Sequence, residues 1–190
     1  MSSERLLDII LRNSEAYHFE VYHATEVSEA VRNKIWALFE NNMHHLYSRS
    51  SFGWNPASKK KELFNHLSRF ILSYKDVEEK ELMAFVMFRF ECEEGDDVVY
   101  CYDLQVSANT QRMGIGRKLV QCLTNIGTSC KMHKIMLTVF KENKNAFNFY
   151  IANGFSVDPF SPSNYIDEEA GDIEEEVDYE ILSRELQVLQ

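Results

Sequence analysis

Between residues 97 and 155 the sequence alternates strand-like and helix-like segments, and this order limits the fold more than any other feature. Residues 97–106 (DVVYCYDLQV) and 133–140 (HKIMLTVF) predict two strands, the second rich in branched and aromatic residues. A helix with an apolar face is predicted after the first strand, and another over 143–153 after the second. Gly154 is a suitable C-terminal cap for the latter helix. The order predicts a mixed α/β fold.

The first half of the chain supplies the remaining elements of a single domain, since 190 residues suffice for one large core. Apolar residues recur every three or four positions over 27–47, which indicates a helix with one buried face. A shorter helix is predicted over 57–67, and its Lys59-Lys60-Lys61 run is interpreted as a solvent-exposed face. The other predicted elements are an amphipathic N-terminal helix at 1–16 and strands at 17–23, 69–74, 81–91 and 177–183.

The net charge of -10 is concentrated in one segment. Residues 167–180 hold nine acids and no base, and a second acidic cluster lies within 91–97. Because contacts to nucleic-acid phosphates need clustered lysines and arginines, this distribution argues against direct nucleic-acid binding and favours a basic partner. The acidic stretch over 163–177 is predicted to be a loop.

Three further features narrow the class of protein. No apolar run approaches the roughly 18 to 20 residues that span a membrane, so no membrane association is expected. The four cysteines form no C-x-x-C pair and the histidines have no ligand spacing, so no metal site is expected. Free cysteines of this kind indicate a reducing intracellular compartment.

The loop Gln111-Arg112-Met113-Gly114-Ile115-Gly116 lies between a predicted strand and a predicted helix. Glycines let a backbone come close to an anion, and free N–H groups at a helix start favour a phosphate. A tight turn before a helix would have the same pattern, and the third glycine of the dinucleotide-binding fingerprint is absent. The loop by itself therefore leaves anion binding open.

Read as Q-x-x-G-x-G after a strand, this loop resembles the acetyl-CoA motif of the GCN5-related N-acetyltransferases (GNAT). The segment Asn143-x-x-Ala146-x-x-Phe149-Tyr150-x-x-x-Gly154-Phe155 resembles a second cofactor-side motif of that family, one helix and one strand downstream. The resemblance implies a single GNAT domain over 1–190, with a mixed, mostly antiparallel sheet that splays open. Acetyl-CoA would lie between the strands at 98–106 and 133–140, and a peptide would enter from the opposite side.

The resemblance also assigns roles on the cofactor side. Backbone groups of Leu104, Gln105 and Val106 would bind the acetyl and pantetheine parts of acetyl-CoA. The pyrophosphate would lie in a cradle made by Gln111, Arg112, Met113, Gly114, Ile115, Gly116 and Arg117. Asn143 would contact the pantetheine arm, although its place before a helical pattern also predicts a helix N-cap.

Longer segments resemble the histone-specific N-terminal acetyltransferases of this family, the D class: YCYDLQV at 100–106, KIMLTVFK at 134–141 and DYEILSR at 178–184. This resemblance implies acetylation of the N-terminal serine of histone four and histone two-A, which begin Ser-Gly-Arg-Gly. Histone tails would then be the partners of a monomer in the nucleus and cytoplasm. The implied peptide groove comprises Tyr47, Trp54, Tyr100, Tyr102, Thr138 and Tyr179, with Glu91 and Glu93 facing the histone arginine.

Asp103 is the candidate general base, because a carboxylate within an otherwise apolar strand is unfavourable to bury and calls for an explanation. The enzymes that this chain resembles carry glutamate there, and the shorter aspartate favours a water relay. Strict strand alternation places Asp103 opposite Tyr100 and Tyr102, so a β-bulge is needed to bring all three to the cleft. Tyr150 occupies the family's position for an acid that protonates the leaving thiolate, although a purely packing role is an alternative.

Two other functions stay open on the sequence. An acyltransferase of the same fold could act on lysine or a small amine, although Glu91, Glu93 and the N-terminal segment favour a basic peptide. A non-catalytic histone-binding module could use the acids of 167–180, which could also steer basic tails or form a solvated loop. The glycine motif and Asn143 count against such a module, because it would not need acetyl-CoA.

Overall fold

The structure, a computed structural model, describes residues 2–11, 18–75, 81–165 and 177–187. Parts of the predicted N-terminal helix and of the predicted acidic loop, at 12–16 and 166–176, lie outside the described residues. The helices and strands are, in chain order, α1 (Ser3–Leu11), β1 (His18–His23), α2 (Glu29–Tyr47), α3 (Pro56–Leu63), β2 (Arg69–Tyr74), β3 (Leu82–Glu93), β4 (Asp96–Val106), α4 (Ile115–Ser129), β5 (Lys134–Phe140), α5 (Lys144–Ala152), β6 (Ser156–Val157) and β7 (Tyr179–Glu185).

The strands form one seven-stranded sheet in the order β1-β2-β3-β4-β5-β7-β6. Neighbouring strands are antiparallel except β4 and β5, which run parallel because α4 returns the chain to the same end of the sheet. The mixed, mostly antiparallel sheet that the sequence predicted is therefore confirmed.

Helices cover both faces of the sheet, and each face has its own core. On one face α1, α4 and α5 pack over side chains such as Val86, Val99 and Leu137. On the other face α2 and α3 pack over side chains such as Phe85 and Met87. Adjacent residues of β3 thus belong to different cores, as the two-residue period of a strand requires.

Two elements differ from the prediction. α3 ends at Leu63 rather than 67, because Asn65 starts a turn: its Oδ1 accepts from Leu67 N and its carbonyl from Ser68 N, each at 2.9 Å. The two-residue strand β6 was not predicted, because so short a segment has no hydrophobic period and forms only by pairing with β7.

The sheet opens where β4 and β5 part. Val98 to Cys101 pair with Lys134 to Leu137, but within the described residues β4 pairs only with β3 beyond Cys101. Strand β5 continues beside β7 as far as Phe140. The two central strands therefore diverge, and the predicted opening between them is present.

Candidate active site

A cavity of about 550 Å³ occupies this opening and is bordered by α2, α3, α5 and the loop between α2 and α3. Most of the predicted site residues line it: Tyr47, Trp54, Glu93, Tyr100, Tyr102, Asp103, Leu104, Gln105, Thr138, Asn143 and Tyr150. Val106, the loop at 111–117, Glu91 and Tyr179 lie outside the lining. The lining residues come from separate helices, strands and loops, so only folding brings them together.

A β-bulge in β4 turns three predicted site residues toward the same cavity. Cys101 pairs with Phe88 and Asp103 pairs with Met87, so Tyr102 is the extra residue. Tyr100 and Tyr102 share a face by ordinary alternation, and the bulge moves Asp103 from the opposite face onto theirs. The predicted β-bulge is therefore present.

The Asp103 carboxylate is 5% exposed, and one cation is its main partner. Lys59 Nζ lies 3.0 Å from Oδ2, and Gln105 Nε2 donates to Oδ1 over 3.4 Å. Lys59 therefore forms an ion pair with Oδ2, and Gln105 is the hydrogen-bond donor to Oδ1. Burial raises the pKa of Asp103, and Lys59 only partly opposes the shift. A buried carboxylate with few donors beside a cavity is suited to accept a proton.

The lysine run of α3 is not uniformly exposed, so the interpretation of Lys59 as part of a solvated face is wrong. Lys59 is 8% exposed and lines the cavity, whereas Lys60 and Lys61 are exposed. Lys60 lies over the Trp36 ring, 4.5 Å from its centroid. Lys59 precedes the fully buried Leu63 by four residues, so the two share a face of α3. This four-residue spacing was the sequence signal that Lys59 lies on the buried face of α3.

Tyr47 and Trp54 form an aromatic wall beside α2. Trp54 stacks on Phe39 with ring centroids 6.2 Å apart, and Tyr47 meets Phe140 edge-on at 5.0 Å. Since Phe39 is fully buried, this wall is anchored in the core. Burial raises the pKa of Tyr47, so its hydroxyl is protonated at neutral pH.

Hydrogen bonds orient the tyrosines and the threonine of the predicted peptide groove. The hydroxyls of Tyr100 and Thr138 lie 2.7 Å apart, and Tyr102 Oη donates to Glu91 Oε1 over 3.2 Å. Burial raises the pKa of Tyr102 to about 12, and Glu91 adds to the shift. Glu91 is engaged by this bond at the edge of the site.

Glu93 borders the cavity itself, together with Glu94, which was not predicted as a site residue. Glu94 has a φ of 50° and begins the turn from β3 to β4, whereas strand alternation would have turned it away from Glu93. The acidic cluster of the sequence therefore contributes two carboxylates to the cavity mouth.

Residues at the start of β7 hold the loop between α2 and α3 beside the cavity. The ring of Tyr179 lies 5.3 Å from that of Phe52, and Asp178 accepts hydrogen bonds from Ser51 N at 2.6 Å and Ser51 Oγ at 2.9 Å. Glu180 accepts hydrogen bonds from two serines. The last acids of 167–180, which fall within the predicted strand at 177–183, therefore make specific bonds.

The loop at 111–117 forms the N-terminus of α4, next to the end of β4. Gln111 Nε2 donates to the Val106 carbonyl over 3.3 Å. Gly114 is the N-cap and has a φ of 86°, a conformation that favours glycine. A Cβ on Gly116 would lie 3.2 Å from Phe149, so this glycine permits close packing of α4 on α5. The helix start, with Arg112 in the loop and Arg117 in the first turn of α4, offers N–H groups and positive charge that fit a pyrophosphate.

Two predicted residues border the cavity from α5. Asn143 Oδ1 accepts from Ala146 N over 3.2 Å, so its predicted N-cap role is confirmed, and the residue also lines the cavity. Tyr150 is 8% exposed and packs on Phe149 and Phe155. Burial raises the pKa of Tyr150 well above its ordinary value, so the phenol is protonated and able to donate.

Asn42 supports the site from α2 and was not predicted. Its Nδ2 donates to Gln105 Oε1 and to the Val106 carbonyl, each over 3.1 Å. Asn42 follows Phe39 by three residues and precedes Leu46 by four, and both of these are buried. A polar residue on that apolar face was the sequence signal for it.

Among the residues that the structure describes, no group of three or more His, Cys, Asp or Glu side chains is placed to hold a metal ion. In the same part of the chain, every helix is too short or too polar to cross a membrane. All four cysteines are free thiols.

Residues 29–155 match the sequence model of the acetyltransferase (GNAT) family. That range contains the bulged strand, the glycine loop and α5. More than half of the chain is covered by this match.

Solved structures share the fold over most of this chain. The ribosomal-protein-S18-alanine N-acetyltransferase from Escherichia coli is 16% identical with a TM-score of 0.58, covering 91% of this chain and 97% of that one. Naa50 of Arabidopsis thaliana, in complex with the bisubstrate analogue CoA-Ac-MVNAL, is 19% identical with a TM-score of 0.56, covering 88% and 99%. The NatC complex bound to Gag peptide and CoA contributes a chain that is 16% identical with a TM-score of 0.61, covering 91% and 100%.

Proposed function

Because the chain belongs to the acetyltransferase (GNAT) family, we propose that it transfers the acetyl group of acetyl-CoA to the α-amine of protein N-termini. The proposed substrates are histones that begin Ser-Gly-Arg-Gly, the substrates of N-terminal acetyltransferase D. The amine attacks the thioester directly, in a complex that holds both substrates.

The observation that carries the proposal is the shared orientation of Tyr100, Tyr102 and Asp103. The bulge turns all three toward the cavity at the point where β4 leaves β5. Past that point the edge of β4 that faces the opening has no strand partner among the described residues. An amine bound beside Tyr100 and Tyr102 can therefore attack a thioester held along the free edge of β4.

Asp103 is suited to take the proton of an α-amine. Such an amine has a pKa of about 7.7 to 8, so on the order of a tenth is already neutral at pH 7. A lysine amine, with a pKa of about 10.4, is neutral less than about one time in a thousand. A carboxylate is therefore a sufficient base for an N-terminus and a weak one for a lysine side chain, which favours N-terminal acetylation over the lysine alternative.

A route through an acetylated cysteine is disfavoured. Cys101 lines the cavity, but burial raises its pKa, and a neutral thiol is a poor nucleophile. Direct attack by the amine needs no such intermediate. Tyr150, a neutral phenol beside the same cavity, can donate a proton to the departing sulfur.

The residues on the cofactor side bind acetyl-CoA and polarise its acetyl carbonyl. Bound acetyl-CoA supplies an activated acetyl thioester. The N–H groups at the start of α4, with Arg112 and Arg117, hold the pyrophosphate. The N–H groups between Leu104 and Val106 polarise the acetyl carbonyl.

The charge at the cavity mouth supports a basic peptide as the acceptor. Glu93 and Glu94 border the cavity, and Glu91 lies at the adjoining edge, bonded to Tyr102. Carboxylates there complement the arginine at the third position of Ser-Gly-Arg-Gly. Among the solved structures of this fold, NatC holds a Gag peptide with CoA, and Naa50 holds an analogue that joins CoA to MVNAL.

Acetyl transfer to two synthetic peptides tests the proposal. One begins with free Ser-Gly-Arg-Gly, and the other has the same sequence with a blocked α-amine and free lysines. We expect transfer to the first peptide only, and weaker binding when its third residue is glutamate. Transfer only to the blocked peptide would make the chain a lysine acetyltransferase. Transfer to neither, with no acetyl-CoA binding by calorimetry, would leave the histone-binding module.

A further inference from the structure

A buried chain of three charged groups joins α3 to the bulged strand. Lys59 Nζ lies 3.0 Å from Asp103 Oδ2 and donates a hydrogen bond to Glu62 Oε1. The side chains of Lys59 and Asp103 are 8% and 4% exposed, whereas that of Glu62 is 40% exposed. A buried ammonium is tolerated only when paired, so this arrangement depends on both carboxylates.

Aromatic rings also fix the position of the ammonium. Lys59 Nζ lies 5.1 Å from the centroid of Phe39 and 5.3 Å from that of Tyr47. Because Phe39 is fully buried and Tyr47 packs edge-on against it, both rings are held in place and the ammonium has little freedom to leave Asp103. The lysine therefore presents a fixed positive charge to the side chain assigned as the base.

We propose that Lys59 is a positioning residue for acetyl transfer, which holds the Asp103 carboxylate ionised and oriented toward the incoming amine at neutral pH. This inference rests on the proposed function of the site. Lys59 itself does not touch the reacting atoms in this role, and it acts through Asp103.

The sign of the effect follows from what surrounds Asp103. The charged or titratable groups that act on it are Lys59 and Glu62 from α3, Tyr47 from α2, Tyr150 from α5 and Cys101 from β4. Lys59 is the cation of this set, while burial and Glu62 both favour the neutral acid. Loss of Lys59 would therefore raise the pKa of Asp103 and leave more of the base protonated at pH 7.

The test is the pH dependence of kcat for the Ser-Gly-Arg-Gly peptide, measured for Lys59→Met, Lys59→Arg and the matched control Lys60→Met. On the acidic side of the profile, kcat falls as Asp103 becomes protonated, and we call this part the acidic limb. For Lys59→Met we expect the acidic limb to move to higher pH by at least about one unit. Its kcat should fall on the acidic side of the shifted limb and recover as pH rises above it. Lys59→Arg keeps the charge, and Lys60→Met alters only the neighbouring exposed lysine, so both should keep the limb of the wild-type enzyme.

The variant Glu62→Gln, at a partly exposed side chain, should shift the pH profile in the direction opposite to Lys59→Met. Removing this negative charge should lower the pKa of Asp103 and move the limb down. If Lys59→Met does not fold, this variant decides the proposal. An unshifted acidic limb in Lys59→Met, or a limb in Glu62→Gln that is unshifted or shifted upward, would overturn it, because a purely structural role predicts losses that are equal at all pH values.

A ¹³C titration of the Asp103 carboxyl, assigned with Asp103→Asn, separates this inference from the proposed function. If the wild-type enzyme transfers no acetyl group to the peptide, the proposed function fails. The titration then decides the inference alone: a higher Asp103 pKa in Lys59→Met supports it, and an unchanged pKa refutes it.

Discussion

Two buried lysine–aspartate pairs in this protein have nearly the same separation and very different surroundings. Lys59 and Asp103 lie 3.0 Å apart in the cavity wall. Lys134, the first residue of β5, and Asp158, which follows β6, lie 3.1 Å apart. In both pairs the aspartate is almost fully buried. Distance and burial alone would give them the same role.

The hydrogen bonds distinguish the two carboxylates. Asp158 Oδ2 accepts from Lys134 Nζ at 3.1 Å and Oδ1 from Phe160 N at 2.9 Å. Burial works to raise the pKa of Asp158, but hydrogen bonds from Ser183, Phe160 and Lys134 outweigh it and lower the pKa. Asp103 has fewer donors, and its pKa is raised. A carboxylate with several donors anchors the fold, whereas one with fewer donors beside a cavity is available for proton transfer.

The largest expected effect concerns the pair Lys134–Asp158, to which we assign a structural role. Asp158→Asn should lower the free energy of unfolding by about 3 kcal/mol, because Lys134 would stay buried without its main partner. Asp96, 3.8 Å from Lys134 Nζ, offsets only part of this loss. Denaturant unfolding measures the change, and kcat of the folded variant should stay within about twofold of the wild-type value. A loss of stability below about 1 kcal/mol would remove the distinction between the pairs.

The second prediction concerns the pair Lys59–Asp103, to which we assign a catalytic role. Asp103→Asn should reduce kcat for the Ser-Gly-Arg-Gly peptide by about 100-fold, which is about 2.7 kcal/mol in the activation barrier. The lower end of the range for general bases applies, because part of the α-amine is already neutral at pH 7. Steady-state kinetics with acetyl-CoA in excess gives kcat. A loss under about threefold, with the fold intact by circular dichroism, would exclude Asp103 as the base.

The third prediction uses the opposite pKa shifts of the pairs. A carboxyl whose pKa is lowered in the folded state stabilises the fold above its unfolded pKa, and this stabilisation is lost as pH falls through the folded value. The stability difference between wild type and Asp158→Asn should therefore shrink as pH falls below the ordinary value of 3.8. Unfolding curves between neutral pH and about pH 3 measure it. A difference that stays constant over this range would contradict the assigned shift.

The smallest expected effect concerns the support of Asp103. Asn42→Ala removes two hydrogen bonds that hold Gln105 and the end of β4, so kcat should fall about fivefold, close to 1 kcal/mol. The neighbouring exposed residue gives the matched control, Asn41→Ala, which should behave as wild type. Equal losses in both variants would show that helix stability, rather than the hydrogen bonds to β4, is responsible.

Much of the fold could be predicted because it depends on local patterns. The apolar period over 27–47 predicted α2, which spans Glu29–Tyr47, and the strand and loop before α4 lie where the motif placed them. The end of α3 and the strand β6 were not predicted, because a side-chain turn and a two-residue pairing leave no periodic signal.

The site was predictable to a smaller extent. Sequence resemblance pointed to residues that line one cavity, including Tyr47, Trp54 and Asp103. It did not reveal Lys59 or Asn42, whose polar side chains share faces with buried leucines and phenylalanine. The interpretation of a lysine run as solvated is correct for most such runs and fails here, because Asp103 compensates the buried charge.

The sequence by itself determined which segments form helices and strands and where the glycine loop begins a helix, because these properties depend on neighbours within a few residues. The tertiary structure decided that Tyr102 forms the bulge, that β4 and β5 part at this point, and that Lys59 pairs with Asp103 in the cavity wall. Partners so far apart in the chain are selected by the packing of α3 against the sheet, which no local pattern encodes. The chemistry of Asp103 is therefore a property of the folded site.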